Sequence, residues 1–160
     1  MNIVRINLLL TGLFVVVTAI AAAVFSPELR VAVVIFDLAL FAIGVATFIL
    51  GYFSAVQRSR YEEISVAGLF LLLDKVADRS TTLRMNTALA VQTIIGVTGA
   101  IVRGSTDGKP GSTLAFGVLV PLLGLGLNGM WASKHGVFAS RNVPNVSADE
   151  SDIGKDSPHG

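Results

Sequence analysis

The chain has 160 residues, of which 52% are hydrophobic and only 14% are charged, and its mean hydropathy is +0.71. Because a soluble domain carries about 25% charged residues, this composition excludes an ordinary soluble domain and indicates an integral membrane protein. The net charge of +1 argues against nucleic-acid binding, and the absence of cysteine excludes disulfides and thiolate chemistry.

Four apolar stretches are each long enough to cross a bilayer, and they cover residues 6–25, 31–56, 85–102 and 113–132. A span needs about 20 mostly apolar residues, and the water-free membrane core requires the backbone to satisfy its own hydrogen bonds. The sequence therefore predicts an all-α membrane protein with a four-helix transmembrane domain over residues 1–140.

The first span has a second interpretation. Arg5 precedes its apolar run, which ends in three alanines at 21–23, and this pattern also resembles a secretory signal with its cleavage site. We expect a retained helix, because the turn at 26–28 leads directly into the second span. The intact mass of the purified protein distinguishes the two.

Asp37 lies six residues into the second span, about 9 Å below the predicted outer boundary. A carboxylate buried in hydrocarbon is costly and needs a partner or a function. The structural hypothesis pairs it with Arg103 at the outer end of the third span, or with threonine and backbone groups. The functional hypothesis makes Asp37 a proton-binding or cation-binding site in a small carrier.

The loop between the second and third spans predicts an amphipathic cytoplasmic helix over about residues 60–79. Ser59 and Glu62 have capping-box spacing, and an apolar stripe follows at helical intervals. The stripe consists of Val66, Leu69, Phe70, Leu73, Val76 and Ala77. Such a helix either packs against the base of the bundle or lies on the membrane surface.

Polar residues within the last two spans are the remaining site candidates. Gln92 lies near the centre of the third span and Asn128 in the inner half of the fourth, where each is expected to face protein and bond to another helix. Asn7 and Asn86 lie close enough to the inner interface to be hydrated. Together with Asp37 and Arg103, Gln92 and Asn128 form the candidate intramembrane polar site.

Small residues at four-residue intervals indicate where helices approach closely. The pairs are Ala42 with Ala46, Gly96 with Ala100, and Gly129 with Ser133. We interpret them first as seams within the bundle and second as a dimer face. Pro121 is expected to bend the fourth span, since proline removes one helical hydrogen bond.

The histidines give no support to an enzyme. One of the two, His159, lies in the tail, and His135 lies just beyond the fourth span, where Lys134 and His135 are expected to end the helix. No phosphate loop, nucleophile elbow or metal-ligand spacing occurs in the sequence. We therefore predict no catalytic residues, no bound cofactor and no metal.

Lysine and arginine residues set the orientation. Nine lie on the side of both termini and three on the other, and cytoplasmic loops carry the excess. The first group is Arg5, Arg58, Arg60, Lys75, Arg79, Arg84, Lys134, Arg141 and Lys155, and the second is Arg30, Arg103 and Lys109. This predicts a multi-pass protein with both termini cytoplasmic.

The segment 129–138, GMWASKHGVF, resembles part of the small, mostly uncharacterised four-helix integral membrane proteins of actinobacteria. The resemblance implies a four-helix fold and a bacterial plasma membrane. It identifies no active residues.

The tail at 141–160 loses apolar periodicity and gains Asn, Pro, Ser, Asp and Gly. Such a composition cannot bury enough surface to offset the entropy of ordering, so we predict a disordered cytoplasmic tail. The Asn145 sequon is expected to stay unmodified on that side of the membrane.

Two function classes remain after this reading. The first is an accessory or assembly subunit that packs against a membrane-protein partner, because the spans contain few polar groups and many small residues. The alternative is a small oligomeric proton- or cation-coupled carrier or channel that uses Asp37. The expected surroundings are the lipid bilayer, with a membrane-protein partner or a homo-oligomer.

Overall fold

The computed structural model describes residues 2–106 and 108–141. Its helices are α1 (Ile3–Val24), α2 (Pro27–Arg58), α3 (Val66–Leu71), α4 (Arg79–Val102), a 3-10 helix (Thr113–Leu119) and α5 (Pro121–His135). Short strands β1 (Glu62–Glu63), β2 (Ser105–Thr106), β3 (Lys109–Pro110) and β4 (Ala139–Ser140) pair as β1 with β4 and β2 with β3, both antiparallel. The predicted tail lies outside the described residues except for Arg141.

Within the described ranges, four helical segments are long and apolar enough to cross a membrane: Ile3–Val24, Pro27–Arg58, Arg79–Val102 and Thr113–His135. The chain is thus mostly helical and has the four spans that the sequence predicts. The helices extend beyond the apolar stretches because polar caps begin them: the side chains of Asn2, Ser26 and Asp78 accept from backbone N–H groups of α1, α2 and α4.

Asp78 is expected to make the stability of the fold depend on pH. Hydrogen bonds from the Thr81 side chain and then the Thr81 N–H hold the pKa of Asp78 below its ordinary value. Because the folded pKa is the lower one, the stabilisation is complete above the unfolded pKa and is lost as pH falls through the folded pKa. We expect Asp78→Asn, which keeps a capping oxygen, to unfold with a shallower pH dependence than wild type below about pH 4. Thermal unfolding at several pH values measures this, and parallel curves would contradict it.

The fourth span lies at the centre of the bundle. In its most apolar 18-residue stretch, half of the residues are buried, whereas the corresponding stretches of the other three spans have only 22–28% of their residues buried. The 3-10 helix and α5 together contact α1, α2 and α4, and α5 also contacts α3. The bundle is therefore three peripheral spans packed around a central one.

Glycines make this packing close. A Cβ atom at Gly44 of α2 would lie 2.5 Å from the backbone nitrogen of Leu123, and one at Gly51 would lie 2.8 Å from the carbonyl carbon of Gly129. On α4, Gly96 lies directly against the backbone of Gly117. At these three positions a side chain would occupy the space of the neighbouring backbone, so the spans approach as closely as small residues permit.

The predicted seam is wrong in part. Gly96 and Gly129 do lie where helices contact each other, and Ser133 is buried. Ala42 and Ala46, however, are exposed on the face of α2 that turns away from the bundle. The seam of α2 instead uses Gly44 and Gly51. Four-residue spacing identifies small residues that share a face, but it does not tell which face turns inward.

The fourth span changes its type of helix at Pro121. The 3-10 helix ends at Leu119, and α5 begins at Pro121, which occupies its first position because a proline there needs no N–H. Across the junction, the Val120 N–H donates to Gly117 at 3.2 Å and the Leu123 N–H to Val120 at 2.8 Å. Val120 between the two helices has a right-handed helical conformation, so the fourth span continues through this point as a 3-10 helix followed by an α-helix.

The connection from α2 to α4 differs from the predicted helix over residues 60–79. Only Val66–Leu71 is helical, and its cap is Ser65, whose Oγ accepts from Gly68 at 2.8 Å. Ser59 instead ends α2, and Glu62 forms an ion pair with Arg58 at 2.7 Å, so the predicted capping box does not form.

Tertiary contacts hold this connection against the bundle. Phe70 stacks on Phe48 of α2 with ring centroids 4.3 Å apart, and it fills the space above Gly129. Leu72 and Val76 are also buried. The chain leaves the helix at Leu72, which adopts a left-handed conformation with φ of 54°. The segment thus packs into the base of the bundle, one of the two arrangements that the sequence allows.

Arg58 closes the same end of the bundle. Its guanidinium donates to the carbonyl oxygens of Ser133 at 2.9 Å and Gly136 at 3.1 Å, and it lies over the Phe138 ring. Carbonyls in the last turn of a helix have no intrahelical donor, and a cation suits that end of the helix dipole. α5 ends at His135, as the sequence predicts.

Candidate functional site

Gln92 joins three spans. Its Nε2 donates to Thr11 Oγ1 at 2.7 Å and to Asn7 Oδ1 at 3.2 Å, both on α1, and its Oε1 accepts from the Gly124 N–H of α5 at 3.1 Å. All three side chains are buried. The Gly124 N–H lies in the first turn of α5, just after Pro121, so Gln92 provides an acceptor for a donor in that turn.

Asn7 therefore corrects one prediction. It is fully buried and bonded to α4, whereas the sequence suggested a hydrated residue near the interface. The sequence of α1 could have predicted this burial, because Asn7 lies on the same helix face as buried apolar residues. The buried positions of α1 recur at intervals of three and four residues. They are Val4, Asn7, Thr11, Phe14, Thr18 and Ala21. Half of this buried face is polar, and its periodicity places the polar groups inside.

Asn128 holds the α3 segment in place. Its Nδ2 donates to the Phe70 carbonyl at 3.0 Å and to Asn86 Oδ1 at 3.1 Å, while Asn86 Nδ2 donates to the Leu71 carbonyl at 2.7 Å. These two carbonyls end α3, so side chains from α4 and α5 provide the donors that the helix end lacks. Asn128 is thus a buried helix-contact residue, as predicted, but its partner is the loop segment and α4.

Asp37 lies in the N-terminal half of α2 and is only 1% exposed. Its Oδ2 lies near the 3-10 helix, 3.5 Å from the position of a Cβ on Gly117, and the ring of Phe14 lies 3.4 Å from that same position. In the part of the chain that the structure describes, Asp37 Oδ1 has no hydrogen-bond partner. The carboxyl group is therefore buried beside the 3-10 helix of the fourth span, close to Gly117 and the Phe14 ring.

Arg103 does not pair with Asp37. Its Nε and Nη2 both donate to the Ala22 carbonyl, at 3.0 and 2.7 Å, and its guanidinium lies 4.9 Å from the centre of the Phe25 ring. Ala22 lies in the last turn of α1, where free carbonyls and the negative end of the helix dipole attract a cation. Arg103 thus caps α1 and leaves Asp37 without a counter-ion from this residue.

Other buried polar side-chain atoms of the bundle also have no hydrogen-bond partner among the described residues. They include Asn7 Nδ2, Thr18 Oγ1, Thr113 Oγ1 and Asn128 Oδ1, in addition to Asp37 Oδ1. A buried polar atom without a hydrogen bond costs about 1–3 kcal/mol. The bundle interior is therefore not fully satisfied by its own groups, and Asp37 is its ionisable member.

The structure separates the four residues of the predicted polar site into four places. Gln92 belongs to a cluster with α1 and α5, Asn128 to a cluster with α3, and Arg103 to the C-terminal end of α1. Asp37 lies beside Gly117 of the 3-10 helix. Among residues 2–106 and 108–141, no group of His, Asp and Glu has the arrangement to hold a metal ion.

Comparison with known proteins adds no family to this description. No family model, curated protein or solved structure matches the chain. The functional argument therefore rests on the geometry of the bundle, on Asp37 and on the surfaces that the peripheral spans expose.

Proposed function

We propose that this chain is a multi-pass plasma-membrane protein with both termini cytoplasmic, and that it is an accessory or assembly subunit of a larger membrane complex. The observation that carries the proposal is the central position of the fourth span. A helix fills the middle of the bundle, while only 22–28% of the residues in the most apolar stretches of the three peripheral spans are buried. This arrangement suits lateral packing better than passage of a solute through a single chain.

The face of α2 that turns away from the bundle supplies a surface for such packing. Six exposed residues follow one another at intervals of three and four: Ile35, Leu38, Ala42, Ala46, Ile49 and Phe53. The two alanines form a shallow centre between larger side chains. In membranes, small residues let a partner helix approach closely, and van der Waals contact then stabilises the pair. We assign this face to the partner.

Larger residues in place of the two alanines test this proposal. We expect the double substitution A42L/A46L to abolish stoichiometric co-purification of the membrane-protein partner in mild detergent, because two leucines keep a partner helix at a distance. Quantitative mass spectrometry of the purified complex measures the ratio. Ile35→Leu is the matched control, since it changes an exposed residue on the same face without filling the centre.

Two results would contradict the subunit proposal. One is a wild-type protein that purifies only as a homo-oligomer, and the other is a partner ratio that is unchanged in the double variant. Photo-crosslinking from positions 42 and 46 gives an independent readout. A crosslinker at position 42 or 46 should label one heterologous membrane protein. A crosslinker in place of the exposed residue Ile94 on α4 should not label that protein.

A second candidate function is favoured by Asp37. A buried carboxyl group with an oxygen that has no partner in the described chain lies beside the 3-10 helix of the fourth span, and ionisable residues within membrane spans often belong to ion or proton pathways. The alternative proposal is an oligomeric carrier or channel that couples to protons or cations through Asp37.

Asp37→Asn separates the two functions, since it preserves shape and removes the ionisable group. If Asp37 couples transport, proton or cation flux into proteoliposomes is lost while folding and thermal stability are retained. Asp74→Asn is the control, because it makes the same chemical change at an exposed loop position. Absence of flux in the wild-type protein, or equal flux in wild type and Asp37→Asn, would exclude this role.

A further inference from the structure

The neighbours of the Asp37 carboxyl group carry no charge. Phe14 of α1 and Gly117 of the 3-10 helix lie beside it, and Gly117 in turn contacts Gly96 of α4. Arg103, the cation that the sequence suggested as its partner, is bonded to the carbonyl group at the end of α1. Over the described residues, Asp37 therefore has no group that would neutralise a negative charge.

An ionised carboxylate is unfavourable in this position. The Asp37 side chain is almost fully buried, and its Oδ1 has no hydrogen-bond partner in the described chain. A buried charge that is neither paired nor hydrogen-bonded is normally avoided, because the group changes its protonation state instead. For a carboxylate, this change is the gain of one proton, which forms an O–H bond and cancels the charge.

The surroundings of Asp37 do not provide the ligands of a metal ion. Mg²⁺ and Ca²⁺ take about six to eight oxygen ligands. A Cβ atom on Gly117 would lie 3.5 Å from Asp37 Oδ2, and 3.4 Å from both the Phe14 ring and the Gly96 Cα. The Gly117 carbonyl oxygen lies against Gly96 and accepts from the Val120 N–H at 3.2 Å, so its contacts are with α4 and its own helix. This geometry favours a proton over a metal ion.

We propose that Asp37 binds a proton and no metal cation, and that it is a neutral carboxylic acid inside the bundle. The inference deepens the carrier alternative, because it names the proton as the coupled ion. Use of this proton in transport rests on that proposed function, whereas its presence on Asp37 does not. In an accessory subunit, the same proton lets the carboxyl group stay buried without a counter-ion.

Infrared difference spectroscopy of the full chain in phosphatidylcholine vesicles at neutral pH tests the proposal. We expect the difference between wild type and Asp37→Asn to contain the carbonyl band of one neutral carboxylic acid. Asp74→Asn is the control: Asp74 is exposed, so its difference spectrum should contain carboxylate bands instead. If Asp37→Asn does not fold, Asp37→Leu provides the subtraction. Carboxylate bands without a carboxylic-acid band in the Asp37 difference would overturn the proposal.

Thermal unfolding of the wild-type protein distinguishes a proton from a metal cation without any variant. A ligand that binds only the folded state raises the unfolding temperature as its concentration increases. We expect sodium, potassium and magnesium chloride to give the same unfolding temperature as choline chloride at equal ionic strength. A rise that one metal cation causes in the wild type and not in Asp37→Asn would contradict the proposal. A wild type that shows the carboxylic-acid band but carries no proton flux removes the carrier alternative and leaves the proton site in place.

Discussion

Gly44→Ala is expected to destabilise the bundle by about 1–3 kcal/mol, the usual cost of overpacking a tight interior. The added methyl group would lie 2.5 Å from the Leu123 nitrogen and 2.8 Å from the Leu123 Cα. Both atoms are backbone, so they cannot move aside as a flexible side chain would. α2 and α5 would have to separate along the contact that places the fourth span at the centre.

Gly12→Ala provides the matched comparison. Gly12 lies on α1, and a Cβ atom there would have no neighbour within 4 Å. Alanine is the better helix former, so this variant should lose no stability. Equilibrium unfolding in mixed detergent micelles measures both variants. Equal stabilities for Gly44→Ala and Gly12→Ala would show that α2 and α5 are not in close contact.

Gln92→Leu is the second substitution with a large expected effect, a loss of about 2 kcal/mol. It removes three hydrogen bonds, and hydrogen bonds between membrane helices average about 0.6 kcal/mol each. Leucine also leaves the Gly124 N–H without its acceptor at the start of α5. The same unfolding measurement applies, and α1 should become more accessible to proteolysis or labelling as it detaches.

Thr93→Val controls for the loss of a polar group in the same helix. The Thr93 hydroxyl is exposed and bonds only to its own helix, at the Leu89 carbonyl. Its removal should change stability by less than about 0.6 kcal/mol. A double-mutant cycle between Gln92→Leu and Thr11→Val should show coupling, because the two side chains share a bond of 2.7 Å. Additive losses would mean that this bond does not form.

These two experiments address the same structural question. Gly44 places α5 against α2, and Gln92 fastens α5 to α1 and α4. If both predictions hold, the fourth span is the fixed centre of the bundle, which favours the subunit proposal. A carrier would need one of these contacts to break during its cycle, and tolerance of Gln92→Leu would point in that direction.

The spans were predictable because hydrocarbon imposes one strong condition on the backbone. An apolar stretch of membrane-crossing length must be a helix, so residues 6–25 and 85–102 predict α1 and α4 to within a few residues at most ends. The exception is the start of α4, which the Asp78 cap moves forward to Arg79. Asp37 was also visible from sequence, since an ionisable residue in a span is rare whatever its surroundings.

The connection between α2 and α4 was less predictable. Its periodic apolar residues suit a helix of several turns, but the chain leaves the helix at Leu72. Phe70 and Leu71 find donors on Asn128 and Asn86, and those residues lie far away in the sequence. Local periodicity carries no information about such partners, so it overestimates the length of a helix that tertiary contacts end.

By itself, the sequence determined that the chain has four helices long and apolar enough to cross a membrane, and which polar residues lie within them. Both follow from the cost of placing polar groups in lipid. Only the tertiary structure decided that the fourth span is central, that Gly44 rather than Ala42 forms the seam, and that Arg103 caps α1 instead of meeting Asp37. Each of these depends on the rotation and neighbours of a helix. Lipid accepts any apolar face, so hydrophobicity cannot specify which face turns inward.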